Sequence, residues 1–225
     1  MSADPAGGTR PPRVELSRKR VRAVREGRVV VDTRAPRLVW EHPYFPVYYL
    51  PAEDVRTDLV PPEALRCPGT EPLRGLVHLD WNAVDAWFEE DEQVFTHPRS
   101  PYTRIDILDS SRHVAVAVAG VTVAESTRPR VLFETGLPPR FYLPKLDVRL
   151  DLLEPSDKVT HCPYKGQAQY WSVRVGEACH PDLAWSYPTP LPESQRIAGM
   201  VCFTDERVDV DLDGVRQDRP QSPFS

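Results

Sequence analysis

An internal repeat constrains the fold of this chain of 225 residues more strongly than any other feature of its sequence. When the sequence is shifted by 93 positions, residues 27–62 align with residues 120–155 without a gap. The shared blocks are Gly27 with Gly120, Glu41 with Glu134, Tyr49-Leu50-Pro51 with Tyr142-Leu143-Pro144, and Asp54-Val55-Arg56 with Asp147-Val148-Arg149. Self-similarity at a fixed offset is typical of a structural unit that occurs in tandem. The sequence therefore predicts two related domains.

The register of the repeat changes after Pro62. The next matches align Gly75-Leu76-Val77 with Gly199-Met200-Val201 and Val84-Asp85 with Val208-Asp209, an offset of 124 that leaves the first copy 31 residues shorter. The segment missing from the first copy corresponds roughly to residues 157–187. We interpret the first copy as a scaffold and the second as the working unit. On three residues alone, Cys67-Pro68-Gly69 is interpreted as a remnant of Cys162-Pro163-Tyr164-Lys165-Gly166.

The composition excludes several classes of protein. The 25 prolines favour turns and edge strands over long helices. A net charge of −5 and a pI near 5.7 argue against a nucleic-acid partner or an anionic membrane surface. The chain has no apolar run long enough to span a membrane, and its start lacks the apolar core of a signal peptide. We therefore expect a cytoplasmic protein with no nucleic-acid or membrane partner, and the oligomeric state stays open.

Local patterns predict the elements and the domain boundaries. Alternating apolar residues around Glu26-Gly27 predict a β-hairpin, and residues 147–153 are interpreted as a strand. The spacing of Val84, Trp87 and Phe88 predicts a short acidic helix that ends at Glu92, and Pro192 and Gly199 bracket a second short helix. The predicted organisation is a disordered tail (1–13), a shortened first repeat (14–95), a connector (96–110), a second repeat (111–216) and a C-terminal tail (217–225).

Reactive side chains are concentrated in residues 160–171, within the segment that the first copy lacks. Cys162 is a candidate nucleophile if Lys165 stabilises its thiolate, and the alternative is a buried structural cysteine. Lys165 and Gly166 together suit a phosphate group, and the alternative is a solvated turn lysine. The candidate catalytic residues are Cys162, Tyr164 and Lys165.

Two further groups of residues are candidates for ligand binding. If residues 147–153 form a strand, Arg149 shares one face with two aspartates, either as an anion clamp or as a structural ion ladder that recurs in the first copy. Trp185 and Tyr187 lie in a proline-rich loop, where an aromatic-walled pocket for a small or cationic ligand is expected. The candidate substrate-binding residues are Tyr142, Arg149, Asp151, Tyr170, Trp185 and Tyr187.

We predict no metal and no cofactor. The four cysteines form no C-x-x-C pair, and the histidines form no ligand cluster at zinc spacing. Adjacent residues such as His161-Cys162 and Cys179-His180 point to opposite faces of a strand, so neither pair is expected to share a metal ion. The G-x-x-x-x-G-K-[ST] spacing of a Walker loop is also absent.

Several blocks of the second copy resemble a known family. They are Phe141-Tyr142-Leu143-Pro144, Cys162-Pro163-Tyr164-Lys165-Gly166, Tyr170-Trp171-Ser172-Val173 and Ala184-Trp185-Ser186-Tyr187-Pro188. Together they are similar to the bacterial domain-of-unknown-function family numbered 427, which carries a loose nucleotidyltransferase-like label, in a tandem form. The resemblance implies an all-β fold of the β-tent (Mss4-like) type, shared with methionine sulfoxide reductase B. Many such proteins hold zinc with two C-x-x-C pairs, which this chain lacks, so the zinc is not carried over.

Two classes of function follow from this reading. The first is an enzyme of unassigned reaction on a small metabolite, with Cys162, Tyr164 and Lys165 at its reactive end and aromatic residues as pocket walls. The second is a non-catalytic module that binds a small molecule or a peptide in the same aromatic pocket. In either class, the expected partner is a small-molecule ligand.

Overall fold

The computed structural model describes residues 12–222 of the chain. Short antiparallel strands dominate it, and every helical segment among these residues is a 3₁₀ turn, so the predicted all-β class is confirmed. Contacts divide the chain into two compact units between Ser100 and Pro101, within the predicted connector. Residues 1–11 of the predicted N-terminal tail and residues 223–225 of the C-terminal tail lie outside the described residues.

The first unit contains two antiparallel sheets. Its strands are β1 (Arg13–Leu16), β2 (Val21–Arg25), β3 (Arg28–Thr33), β4 (Arg37–Trp40), β5 (Val47–Pro51), β6 (Leu65–Arg66), β7 (Leu76–Leu79), β8 (Ala86–Glu89) and β9 (Glu92–Val94). One sheet has the strand order β3-β2-β8-β9, and the other has the order β1-β4-β5-β7-β6. The start of β1 at Arg13 places this residue in a strand although the predicted tail includes it.

The second unit contains three antiparallel sheets. Its strands are β10 (Ile105–Asp109), β11 (Val114–Val118), β12 (Val121–Ser126), β13 (Arg130–Glu134), β14 (Arg140–Tyr142), β15 (Leu153–Cys162), β16 (Gly166–Val175), β17 (Ala178–Ser186), β18 (Val201–Phe203), β19 (Asp209–Leu212) and β20 (Val215–Arg216). The sheet orders are β12-β11-β19-β20, β10-β13-β14 and β15-β16-β17-β18. β10 falls within residues 96–110, so the predicted connector includes a strand of the second unit.

The predicted hairpin around Glu26-Gly27 is confirmed, and the second unit repeats it around Ala119-Gly120. In both turns the two central residues have positive φ angles, 50° and 71° in the first unit and 48° and 78° in the second. This conformation matches the twist of the flanking strands, and the glycine adopts it without steric cost. Both hairpins also contain a β-bulge at equivalent positions, after Ala23 in β2 and after Val116 in β11.

Strand pairing shows that the two units repeat the same fold. Leu50 pairs with Val77 in the first unit, and Leu143 forms a bridge with Val201 in the second, which reproduces the offsets of 93 and 124. The strands β8 and β19, which pair with the first strand of each hairpin, depart from the sequence alignment by one position. β2 pairs Ala23 with Trp87, whereas β11 pairs Val116 with Val210, so the structural offset there is 123.

The pairing also locates the 31 extra residues of the second unit. Arg66 pairs with His78 in the first unit, and Trp185 pairs with Cys202 in the second, so these two pairs are equivalent. Trp185 lies 119 residues beyond Arg66, so 26 of the extra residues precede Trp185 near the end of β17, and five lie between it and β18. The interpretation of Cys67 as a remnant of the 162–166 segment is therefore wrong. Cys67 follows β6, which is equivalent to the end of β17.

The predicted strand over residues 147–153 is wrong. Two 3₁₀ turns, Lys145–Asp147 and Leu150–Leu152, flank Val148, which forms a single bridge with Ala124. Backbone bonds explain this conformation, because the N–H groups of Asp147, Val148 and Leu152 bond to carbonyls three residues earlier. Only the Arg149 N–H bonds to the neighbouring strand, at the Val123 carbonyl of β12, so no continuous ladder forms. Arg149 and Asp151 therefore do not lie on a sheet face.

The predicted acidic helix at residues 84–92 is also wrong. A 3₁₀ turn, Trp81–Ala83, is capped by the Asp80 side chain and leads into β8, which pairs with β2 on one side and β9 on the other. Trp87 and Glu89 are buried on alternate positions, so the pairing of β8 on both edges overrides the helical spacing. The second predicted helix is confirmed as a 3₁₀ helix, Pro192–Ile197, with Gly199 at a φ of 66° after its end.

Two apolar clusters fill the second unit, one on each face of the extra strands. The first packs β11, β12 and β19 against Trp171, Val173 and Val175, which share a face of β16 as predicted. The second contains the aromatic residues of the candidate site. Its members are Ile107, Leu132, Tyr142, Ala168, Tyr187, Ile197 and Cys202, with Tyr170, Trp185 and Met200 at its edge.

Leu143 tests the packing that both units share. Its side chain is 0% exposed where β14 meets β18, so Leu143→Ala leaves a cavity and should lower the free energy of unfolding by about 2–5 kcal/mol. Leu146 is the matched control, because its side chain is 90% exposed and Leu146→Ala should change little. Urea unfolding of the full chain measures both variants. Equal effects would contradict the assigned core.

Candidate functional site

The candidate site is built on the turn between β15 and β16. Cys162 and Gly166 are paired at its base, and Gly166 has a φ of 93°, which side-chain-bearing residues rarely adopt. The segment after β17 holds the turn in place. The N–H of Leu191 donates to the Lys165 carbonyl at 3.1 Å, and the Ser194 hydroxyl donates to the Tyr164 carbonyl at 3.3 Å. The turn is therefore anchored at two consecutive backbone carbonyls.

A buried ion pair lies at the centre of the site. The Lys165 ammonium donates to the Glu134 carboxylate, and their side chains are only 11% and 9% exposed. Burial alone would lower the pKa of Lys165, but the neighbouring Cys162 and Glu134 side chains outweigh it and raise this pKa above its ordinary value. Lys165 therefore keeps its positive charge although it is almost withdrawn from water.

Cys162 is the second neighbour of the Lys165 ammonium. It is half-buried, and its side chain lies near enough to Lys165 to contribute to the raised pKa of that ammonium. A thiol beside a fixed ammonium is the environment in which cysteines react as thiolates. The turn thus brings together a sulfur, a cation and, from β13, a carboxylate.

Aromatic side chains surround this group. Tyr142 and Tyr187 are buried, and Tyr170 and Trp185 are partly buried at the edge of the same cluster. The Trp185 indole donates to the Tyr142 hydroxyl at 3.2 Å, and the rings of Tyr170 and Trp185 lie 6.3 Å apart. Burial, followed by nearby cysteines, raises the pKa values of Tyr142 and Tyr187 well above the ordinary value. Both phenols are therefore neutral and keep their protons.

An arginine and two acidic residues, all missed by sequence reasoning, lie beside the aromatic residues. Arg140 binds Glu206 through both terminal nitrogens, at 2.9 and 2.5 Å, and lies 3.5 Å from Asp205. Its guanidinium also lies over the Trp185 ring, 5.8 Å from the centroid. Burial, followed by Glu206, raises the pKa of Asp205 to about 7 although Arg140 opposes the shift. One cation is therefore shared between two carboxyl groups.

The structure brings together six of the nine candidate site residues. They are Cys162, Lys165, Tyr142, Tyr170, Trp185 and Tyr187. Arg149 and Asp151 instead form an exposed ion pair with each other, at 2.6 Å. Tyr164 is buried in the turn, where its carbonyl takes part in the anchoring bond.

Glu134 was not among the candidate residues, although the sequence contains a feature that could have identified it. Its counterpart in the first unit is Glu41, which accepts from the Tyr49 hydroxyl at 2.7 Å and from Arg66 at 2.8 Å. The recurrence of this glutamate in both copies, at the end of a strand, marked it as structurally important. The arginine in the first unit occupies the position of Trp185, so only the second unit combines the glutamate with a lysine and a thiol.

No metal centre occurs in the part of the chain that the structure describes. Within residues 12–222, no three His, Cys, Asp or Glu side chains are grouped to hold a metal ion. The four cysteines are free thiols, of which Cys67 and Cys179 are exposed and Cys202 is buried. No helix in this range is both long and apolar enough to cross a membrane.

The fold and the site define a tandem all-β protein whose second unit holds a buried lysine–glutamate ion pair near a cysteine. Comparison with protein families identifies it further. The sequence model of the domain of unknown function DUF427 matches residues 13–69 and 106–214, which is more than half of the chain. The chain belongs to this family, in a two-copy form with a shortened first copy. A comparison with curated proteins finds no significant match.

The buried ion pair makes a testable contribution to stability. Glu134→Gln leaves a buried ammonium without its counter-charge and should lower the free energy of unfolding by about 3–5 kcal/mol. The double variant Glu134→Gln/Lys165→Met should recover most of this loss, since neither charge then remains. Arg149→Ala is the control, because it breaks an exposed pair and should change little. Urea unfolding of the four proteins gives the comparison, and a double variant that is as unstable as Glu134→Gln alone would contradict the prediction.

Asp205 should make stability depend on pH. Its pKa is about 7 in the folded protein, so the folded state holds a proton that the unfolded chain releases nearer its ordinary pKa of 3.8. Its contribution to stability is therefore lost as the pH rises through this window. Asp205→Asn removes the effect, so its melting temperature should rise relative to the native protein between about pH 5 and about pH 8. Asp213→Asn, at an exposed carboxylate paired with Arg112, should show no such rise.

Proposed function

We propose that the second unit is a thiol-dependent enzyme for a small metabolite, with Cys162 as its nucleophile. The observation that supports this best is the burial of Lys165 between Cys162 and Glu134. Burying an ammonium group costs free energy. In this site the buried group places a permanent positive charge beside a sulfur atom. Structural cysteines need no such neighbour.

The proposed chemistry begins when Cys162 has released its proton to solvent and its thiolate attacks an electrophilic carbon such as a carbonyl. A carbon–sulfur bond forms while the carbonyl electron pair moves to oxygen, which becomes negatively charged. The Lys165 ammonium is the group that stabilises this charge, as fixed donors do at other developing oxyanions. Glu134 acts through Lys165 as a positioning residue.

The aromatic residues set the expected substrate size and character. Tyr170 and Trp185 are only partly buried, so they offer apolar surface at the edge of the aromatic cluster. The neutral phenol of Tyr187, near Cys162, supplies a hydrogen-bond donor that keeps its proton at physiological pH. These features favour a small metabolite with an apolar or aromatic portion beside its reactive carbon.

A non-catalytic binding module is the second candidate function. It is favoured by the pairing that already exists among the polar groups of the site: Trp185 with Tyr142, Tyr170 with Thr160, and Lys165 with Glu134. Polar groups that are already hydrogen-bonded to one another are pre-organised for binding a ligand, and no catalytic role is needed to explain their arrangement.

Thermal-shift screening of a metabolite panel against native protein and Cys162→Ala separates the two candidates. An enzyme loses turnover in the variant but retains ligand binding, whereas a binder never changes its ligand chemically.

The reactivity of Cys162 tests the proposal directly. We expect iodoacetamide at neutral pH to modify Cys162 faster than the exposed Cys67 and Cys179, and to leave the buried Cys202 unmodified. Mass spectrometry of the protein labelled in its folded state gives the modification rates of the four cysteines within one sample.

Lys165→Met should slow the modification of Cys162 but not that of Cys179, because only Cys162 is next to the ammonium. Lys145→Met removes an exposed lysine and is the matched control. If Cys162 reacts more slowly than both exposed thiols and is insensitive to Lys165→Met, the nucleophile assignment is wrong.

A further inference from the structure

A groove in the second unit lies apart from the Cys162 turn. It encloses about 460 Å³ between β10, β13 and β14 on one side and β19 with residues 217–220 on the other. Strand alternation separates it from the candidate site. Along β13 and β14, Leu132 and Tyr142 point into the aromatic cluster, whereas Phe133 and Phe141 line the groove. The same two strands therefore serve two different surfaces.

The walls of the groove are apolar and open to solvent. Leu108 on β10 is 52% exposed and Phe133 on β13 is 43% exposed, although both are large apolar side chains. They line the same concavity as Phe141 and the buried Val208 and Val210. Exposed apolar side chains in a concave surface are typical of a binding site for the apolar part of a small molecule.

The charges of the groove are predominantly negative. Its charged lining residues are three aspartates, Asp109, Asp205 and Asp218, and one arginine, Arg112. Arg112 is paired with Asp213 at 2.7 Å, and Asp109 with Arg130 at 2.8 Å and Arg196 at 2.7 Å, so both charges are compensated from outside the groove. Asp205 and Asp218 supply the remaining charge of the lining. An anionic ligand would therefore meet repulsion, whereas a cationic ligand would meet a complementary field.

Asp205 supplies the specific anchor for a cation. It lies on the wall and is nearly buried, and it forms an ion pair with Arg140 at 3.5 Å. Arg140 already binds Glu206 through two nitrogens, so one guanidinium faces two carboxylates and the group has an excess negative charge when both are ionised. The raised pKa of Asp205 agrees with this imbalance. An ammonium group of a ligand bound at Asp205 would neutralise this excess negative charge.

We propose that this groove binds a small organic ammonium compound, with its charged nitrogen at Asp205 and its apolar or aromatic body between Leu108 and Phe133. Phe141 offers its ring to the same body, and an aromatic face also attracts a cation. This site does not depend on the reactivity of Cys162.

Binding of three isosteric probes to the full chain tests the proposal. Phenethylamine, phenethyl alcohol and phenylacetate share an aromatic body and differ in charge, and isothermal titration or ligand-observed NMR measures their binding. We expect the amine to bind at millimolar or lower concentration, and the alcohol and the acid to bind at least about tenfold more weakly, as expected for a charge-assisted bond. Equal binding of all three probes, or no binding of the amine, would overturn the proposal.

Variants locate the binding site. Asp205→Asn should weaken amine binding about tenfold while alcohol binding stays unchanged. Phe133→Ser, at a half-exposed position, should weaken both, and Leu146→Ser is the exposed control outside the groove. Cys162→Ala should leave amine binding intact, which separates this result from the proposed thiol chemistry. Amine binding that is insensitive to both Asp205→Asn and Phe133→Ser places the site elsewhere and overturns the assignment.

Discussion

The buried ion pair between Lys165 and Glu134 connects the core that both units share to the extra turn of the second unit. Glu134 ends a strand that both units possess, whereas Lys165 lies in the turn that only the second unit possesses. Because neither charge is tolerated alone in a buried position, the pair fixes the extra β15–β16 turn against the repeated core. Cys162 begins the same turn, so this contact also holds its sulfur near the buried ammonium.

The two faces of β13 and β14 explain why the second unit has two distinct surfaces. Alternate side chains lead to the closed aromatic cluster on one face and to an open, acidic groove on the other. Arg140 and its two carboxyl partners lie where these surfaces meet, because the guanidinium contacts Trp185 while Asp205 lines the groove. The first unit keeps the glutamate and a cation but lacks the extra strands and the Cys162 turn.

The turn residues were candidates because they are consecutive, and Tyr170, Trp185 and Tyr187 because they lie in the segment that the first copy lacks. Sequence reasoning failed where local pattern and tertiary pairing disagree. The alternation in residues 147–153 suggested a strand, but two 3₁₀ turns interrupt it, so Arg149 and Asp151 form an exposed pair. It also missed Arg140 and Glu206, which are 66 residues apart and meet only in the folded chain.

The sequence by itself determined the repeat, the glycine-containing hairpins and the family, because identical residues at a constant offset impose the same local conformations. Only the tertiary structure decided that Glu134 meets Lys165, that Arg140 is shared by two carboxyl groups, and that Phe133 and Leu132 face different surfaces. The reason is physical. Hairpins and turns depend on neighbours in the chain, whereas burial of a charge depends on distant segments that exclude water together.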